Sequence, residues 1–238
     1  MAEKITPNRF ELDEFFATEH NYKDPKCTTT LKFGYFISKP GNFNARFFRI
    51  SPKKAIFMDP GYRQFLINSY EALKNAGYSD GKFKNVNPGK IGVFFGQSNN
   101  DWNGIIHHLK SCDAYTLQGP TYFLDSVYAT AFSSIYLTYL NLFAGNVDMA
   151  VCGAANVVAY PHSWTNLSKS GIFSKTGNYK PFRKNADGYC RANFVGSVMF
   201  KRFGNAVAYN NNILAVILGS GRNHSGNSPS ITTSDANA

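Results

Sequence analysis

The chain has 238 residues, of which 43% are hydrophobic and 17% charged, a globular composition that excludes a disordered one. Its formal charge is +10, from 25 Lys and Arg against 15 Asp and Glu. The basic residues are scattered (Lys53–Lys54, Lys82–Lys84, Lys180–Arg183–Lys184, Lys201–Arg202) with no run of five and no nucleic-acid motif, so no nucleic-acid partner is expected.

The length allows one large or two small domains and a sizeable core. The 21 Phe and 14 Tyr favour a thick, layered one. Cys27, Cys112, Cys152 and Cys190 are too widely spaced for a zinc motif, so no metal is expected. The N-terminal MAEKITPNRF has no apolar core of a signal peptide, which makes the sequons at Asn166 and Asn223 chance matches. The apolar stretches around 131–144 and 147–160 are interrupted by Ser, Asn, Asp and Gly and do not read as membrane spans. A cytoplasmic location is the expectation.

Residues 1–50 read as irregular, punctuated by Pro7, Pro25, Pro40 and Gly41, with Phe43, Phe47, Phe48 and Ile50 placed to pin a loop to the core. Residues 51–77 read as two helices. Ser51 caps the first, with Pro52 at its first position. The second runs from Asp59-Pro60 to a stop at Gly77, with Phe65, Leu66, Ser69, Tyr70 and Leu73 at helical spacing. KIGVFFGQS (90–98) has the form of a buried strand. GPTYFLD (119–125) predicts a strand and 129–144 a helix closed by Gly145. That helix is apolar or small on nearly every side and must be covered all round. VDMAVCGAANVV (147–158) predicts a further buried strand. Residues 196–223 predict strand, short helix, turn and a last strand. Strands that are apolar on both faces, alternating with helices, indicate a mostly parallel α/β sheet in one domain.

Several stretches in this order resemble the ketosynthase (beta-ketoacyl synthase) domain of fungal iterative polyketide synthases of the non-reducing type. They are FNARFFRISPKKAIFMDP, SYEALKNAGY, IGVFFGQSNNDW, DAYTL, GPTYFLDS, SKTGNYKPFRKNADGYCRANFVGSVMFKRF, NNNILAVILGSGRNHSG and SITTSDA, from about Arg9 to the C-terminus. The resemblance implies a thiolase-like fold of two similar α/β halves in five layers, of which 1–238 would hold the N-terminal half with family-specific loops, as an incomplete domain. It implies decarboxylative condensation of acyl and malonyl thioesters on an acyl carrier protein, no cofactor, and a homodimer or a ketosynthase partner.

The departures bear on activity. The family places a nucleophilic cysteine in Asp-Thr-Ala-Cys-Ser-Ser-Ser, on a tight turn before an apolar helix. Aligned without gaps from Gly119-Pro120 to Gly145, Tyr128 stands at that cysteine; a gapped alignment puts Phe132 there. The ungapped alignment also matches NLFAG and is preferred. Neither residue supplies a thiolate able to attack a thioester and later leave. Ser126, Thr130, Ser133 and Ser134 lie nearby but need a base. The family's two histidines belong to its second half, and His20, His107, His108, His162 and His224 match none of its catalytic motifs. His107–His108 reads as helix surface and His224 as a loop residue bonded to backbone. A family segment is missing between Tyr115 and Gly119. Asp187-Gly188 and Gly196 are assigned to the fold, and Cys190 to a buried structural thiol. Asp101, Asp113, Asp125 and Asp148 form no evident carboxylate pair. The expectation is a truncated ketosynthase-like protein without condensing activity. The alternatives are a non-catalytic partner of a full-length ketosynthase, or a piece of a multidomain synthase.

Overall fold

The computed structural model of the protein describes residues 3–4, 33–78, 86–98, 102, 118–159, 167–168, 170–224 and 226. His20, His107, His108, His162, Cys27, Cys112, Asp101, Asp113 and the Tyr115 end of the expected gap lie outside them. A short antiparallel pair, β1 (Glu3–Lys4) and β2 (Phe33–Gly34), lies within the stretch expected to be irregular.

Helix α1 (Pro52–Phe57) starts where Ser51 Oγ accepts from the Lys54 amide at 3.3 Å. Helix α2 (Pro60–Asn75) follows, capped by Asp59, whose Oδ1 accepts from the Gly61 amide at 2.6 Å. It ends at Gly77, whose φ of +86° is the left-handed conformation that suits glycine. Phe65, Leu66, Ser69 and Leu73 are its buried face, as their spacing predicts, with Tyr70 half-buried. Phe48, Met58 and Leu66 form a small cluster with Phe43 and Ile50 against it. Phe47 is 52% exposed, and its ring meets those of Phe48 and Tyr70 edge to face at 5.0 and 4.8 Å.

Four further strands build the main sheet in the order β4 (Thr121–Leu124), β3 (Ile91–Gln97), β5 (Met149–Asn156), β6 (Phe194–Lys201). β4, β3 and β5 are parallel and β6 is antiparallel to β5. The sheet is thus mostly parallel, as expected. Side chains alternate between its faces. Ile91, Phe95, Met149, Val151 and Ala155 pack with Phe65 and Leu73 of α2. Phe94, Ala150 and Cys152 pack on the other side, with Leu142 of helix α3 (Thr130–Phe143). Full burial of each Ile, Val, Leu, Met or Phe side chain among them contributes about 1.5–3 kcal/mol.

α3 approaches the sheet closely because Gly96 has no side chain: a Cβ there would stand 2.5 Å from Thr130 Cγ2 and 2.8 Å from Ser134 Oγ. Opposite Gly96 the helix–sheet face is therefore small and hydroxylated, and toward the end of α3 it becomes apolar with Leu142. Past β6, Arg202 ties the sheet end together. Its Nη1 donates to the Val147 carbonyl at 2.7 Å, and its Nη2 pairs with Asp148. Short helix α4 (Phe203–Ala208) comes next. The last strand expected within 196–223 does not form. Residues 212–224 are irregular, with Leu214 and Leu218 88% and 95% exposed. An apolar run becomes a strand only where a neighbour completes the ladder, and among the described residues none does.

Candidate functional site

The site of interest lies where β4 turns into α3. Asp125 Oδ1 accepts from the Val127 amide at 3.0 Å, and Val127 sits at φ +53°. Left-handed backbone is a true outlier for a β-branched residue and costs about 1–2 kcal/mol. Thr130 secures the turn from within: its Oγ1 donates to the Val127 carbonyl at 2.6 Å and accepts from the Ser126 amide at 2.8 Å. A 3-10 turn, Val127–Ala129, then leads into α3. The result is a tight, strained elbow at the N-terminus of a half-buried helix.

Tyr128 stands on this elbow, 71% exposed. Its hydroxyl lies 3.2 Å from that of Tyr189, and the rings meet edge to face at 6.1 Å. Tyr189 also meets Phe173 edge to face at 4.9 Å. Burial first, and the Tyr128 bond second, push the Tyr189 phenol up to about 12, while the charge of Arg191 pulls it down. Phe132 is 77% exposed, four residues further on. Neither carries a thiol.

Of the hydroxyls near the elbow, Thr130 is bonded within the turn and Ser126 is half-buried, its side chain making no cap bond to the 3-10 turn. Ser134 Oγ donates to the Thr130 carbonyl at 3.0 Å, and Ser133 is buried with no partner for its Oγ. His224 is the one histidine among the described residues, in the exposed stretch after α4. Asp125 is committed to the turn, and Asp148 is paired with Arg202. Among the described residues no three His, Cys, Asp or Glu side chains come together. The two described thiols are poor nucleophiles. Burial pushes Cys152 in β5 up to about 11, and it pushes Cys190 up as well. Cys190 is half-buried, not fully buried as expected.

Gly188 holds a turn, with φ +122° and the Ile172 carbonyl 2.5 Å from where a Cβ would lie. Beside it, Asp187 accepts from Lys180 at 2.8 Å and from Ser174 Oγ at 3.1 Å. The Lys180 bond is the main reason its carboxyl lies below the usual range. Sequence reasoning gave this stretch to the fold and missed Tyr189 as the partner of Tyr128. A contact across 61 positions leaves no local signal.

Comparison with known proteins settles the family. Residues 2–116 and 111–206 match the family model described as "Beta-ketoacyl synthase, N-terminal domain". The chain belongs to this family. It is 57% identical to the non-reducing polyketide synthase ZEA1 of Gibberella zeae and 56% identical to the non-reducing polyketide synthase hmp3 of Hypomyces subiculosus. In both cases all of the chain is covered, and it spans about 12% of the relative's length. The first match takes 256 aligned positions against 238 residues, a difference of 18. Among solved structures it is similar to a ketosynthase from module 6 of the bacillaene synthase of Bacillus subtilis 168. The TM-score is 0.88 at 26% identity, over 99% of this chain and 41% of that one. An oxazolomycin ketosynthase domain from Streptomyces albus gives 0.75 at 26% identity, over 89% and 40%. The fold of this beta-ketoacyl synthase homologue is therefore thiolase-like, as the sequence motifs imply.

Proposed function

We propose that this ketosynthase homologue, read as one domain over 1–238, carries no condensing activity of its own. The family's reaction begins when a thiolate at the elbow attacks an acyl thioester, which requires a group that is both nucleophile and leaving group. The observation that carries the reading is Tyr128 on the elbow, its hydroxyl engaged with Tyr189. Phe132, the alternative occupant of the nucleophile position, is equally unable to do the chemistry. The substrates of the ancestral reaction are acyl and malonyl thioesters on an acyl carrier protein, in the cytoplasm. An internal segment lost near Tyr115–Gly119 has two supports. The family match breaks at residues 111–116, and the relatives occupy more positions than this chain has.

A second reading, non-catalytic association with a ketosynthase, is favoured by the outward face of α3. It carries exposed Phe132 and Phe143.

The test is condensation assayed with acyl- and malonyl-loaded carrier protein, following carbon dioxide release and the β-ketoacyl product. The chain and its Tyr128→Cys variant are both expected to give none. Product from the unaltered chain overturns the reading. Product from the variant alone shows that the nucleophile was the sole deficit.

A further inference from the structure

Arg191 lies in the extended stretch between Gly188 and β6 and is 7% exposed. Its guanidinium Nε and Nη2 are buried with no hydrogen-bond partner. No described residue forms an ion pair with it. The described aspartates are committed elsewhere: Asp59 to Gln97 and Gly61, Asp125 to the Val127 amide, Asp148 to Arg202, and Asp187 to Lys180 and Ser174. The backbone of Arg191 is fixed, because its carbonyl accepts from the Tyr35 amide at 2.9 Å.

Asn193 adds a further donor. Its Oδ1 accepts from the Val158 amide at 2.9 Å, which settles the orientation of the side-chain amide and leaves Nδ2 buried and unpartnered. Extended backbone alternates its side chains, so residues 191 and 193 lie on one side, with Tyr189 before them. Burial raises the Tyr189 phenol most, and the Arg191 charge, close enough to act, draws it back. Buried donors without acceptors are unfavourable, and a buried positive charge without a counter-charge is more so. Water satisfies the hydrogen bonds but not the charge.

We infer that Arg191 and Asn193 form a binding site for one small oxyanion, a carboxylate or a phosphate. Nε and Nη2 are neighbouring donors on one edge of a planar fork, and two oxygens of such a group accept from that edge bidentately. Asn193 Nδ2 supplies a third donor from the same side. The ligand must be small, because so little of Arg191 reaches solvent. Once bound, it also sets the charge felt by Tyr189, the residue that fastens the elbow.

This inference is independent of the acyl chemistry: loss of either claim leaves the other standing. The test is calorimetric titration of the full chain with sodium acetate and with sodium phosphate. Thermal melts in each are compared with sodium chloride of equal ionic strength, since a chain of formal charge +10 attracts any anion. The expected result is one anion per chain, with a melting temperature about 5–10 °C higher at a hundredfold excess over Kd. Tighter acetate identifies a carboxylate ligand, and tighter phosphate a phosphoryl one. Arg191→Lys keeps the charge but not the fork and is expected to bind about tenfold more weakly or worse. Arg191→Met is expected to bind neither anion. Asn193→Asp keeps the acceptor for Val158 and brings a carboxylate to Arg191, so it is expected to melt higher than the parent without added anion and to respond to neither. It gives an independent reading should Arg191→Met not fold. Three results overturn the proposal: heats that do not saturate at one anion per chain, stabilisation by chloride equal to that by acetate and phosphate, or binding that survives Arg191→Met or Asn193→Asp.

Discussion

The Tyr128 hydroxyl lies 3.2 Å from the Tyr189 hydroxyl, so the elbow is fastened to a segment 61 positions away. The contact joins the turn before α3 to the extended stretch that leads into β6. It also gives the Tyr128 phenol a role that involves no bond-making chemistry.

Tyr128→Phe removes that bond, and the exposed position limits the loss of stability to about 1 kcal/mol or less. The Tyr189 phenol falls from about 12 toward 10, without reaching it, because burial is the larger cause. A raised folded pKa contributes stability that is present below about 10 and lost as pH rises through about 12. Ultraviolet phenolate titration of the two proteins reads the shift. An unchanged Tyr189 midpoint contradicts the contact.

Gly96→Ala tests the helix–sheet approach. The new methyl group would enter space held by Thr130 Cγ2 and Ser134 Oγ, at 2.5 and 2.8 Å. Overpacking of this kind costs roughly 1–3 kcal/mol. Urea unfolding is expected to show a lower midpoint with an unchanged slope. Serine 134 to alanine in the same chain recovers only part of it, because Thr130 still clashes.

Asp59 gives a pH signature. Burial raises its carboxyl above 3.8, against the bonds from Gln97 at 2.8 Å and from the Gly61 amide. Its folded pKa is the higher, so its contribution to stability is present below 3.8 and lost as pH rises through the raised value. Asp59→Asn abolishes that slope while keeping the cap. The Gln97 amide can turn its unpartnered Oε1 to the new donor. Asp59→Ala loses cap and partner together, at a cost of about 1–2 kcal/mol. Thermal melts of all three proteins between pH 3 and 7 separate these outcomes (roughly the window of carboxyl titration).

Much of the fold was legible because its signals are local. Phe65, Leu66, Ser69 and Leu73 repeat at the helical period, Ser51 and Asp59 are good caps, and β3 and β5 are apolar on both faces. What was hidden depends on partners. The last strand expected within 196–223 finds no ladder among the described residues, and Phe47, expected to pin its loop to the core, does so through Phe48 and Tyr70 while staying half exposed. α3 was expected to be covered all round, yet Phe132 and Phe143 are exposed, and hydropathy gave no hint that Thr130, Ser134 and Thr138 face the sheet. That orientation follows from Gly96 and from hydroxyls bonding one turn back, neither of which hydropathy measures. At the elbow the residue types were legible, whereas the left-handed Val127 and the Tyr189 contact exist only in three dimensions.

The central claim, that the elbow holds no nucleophile, is tested most directly by intact-mass analysis of the chain after incubation with an acyl thioester, followed by peptide mapping. The account predicts an unmodified mass for the chain, with no acyl group on residues 125–134. An acyl adduct on Tyr128, or on Ser126, Thr130, Ser133 or Ser134, would contradict it.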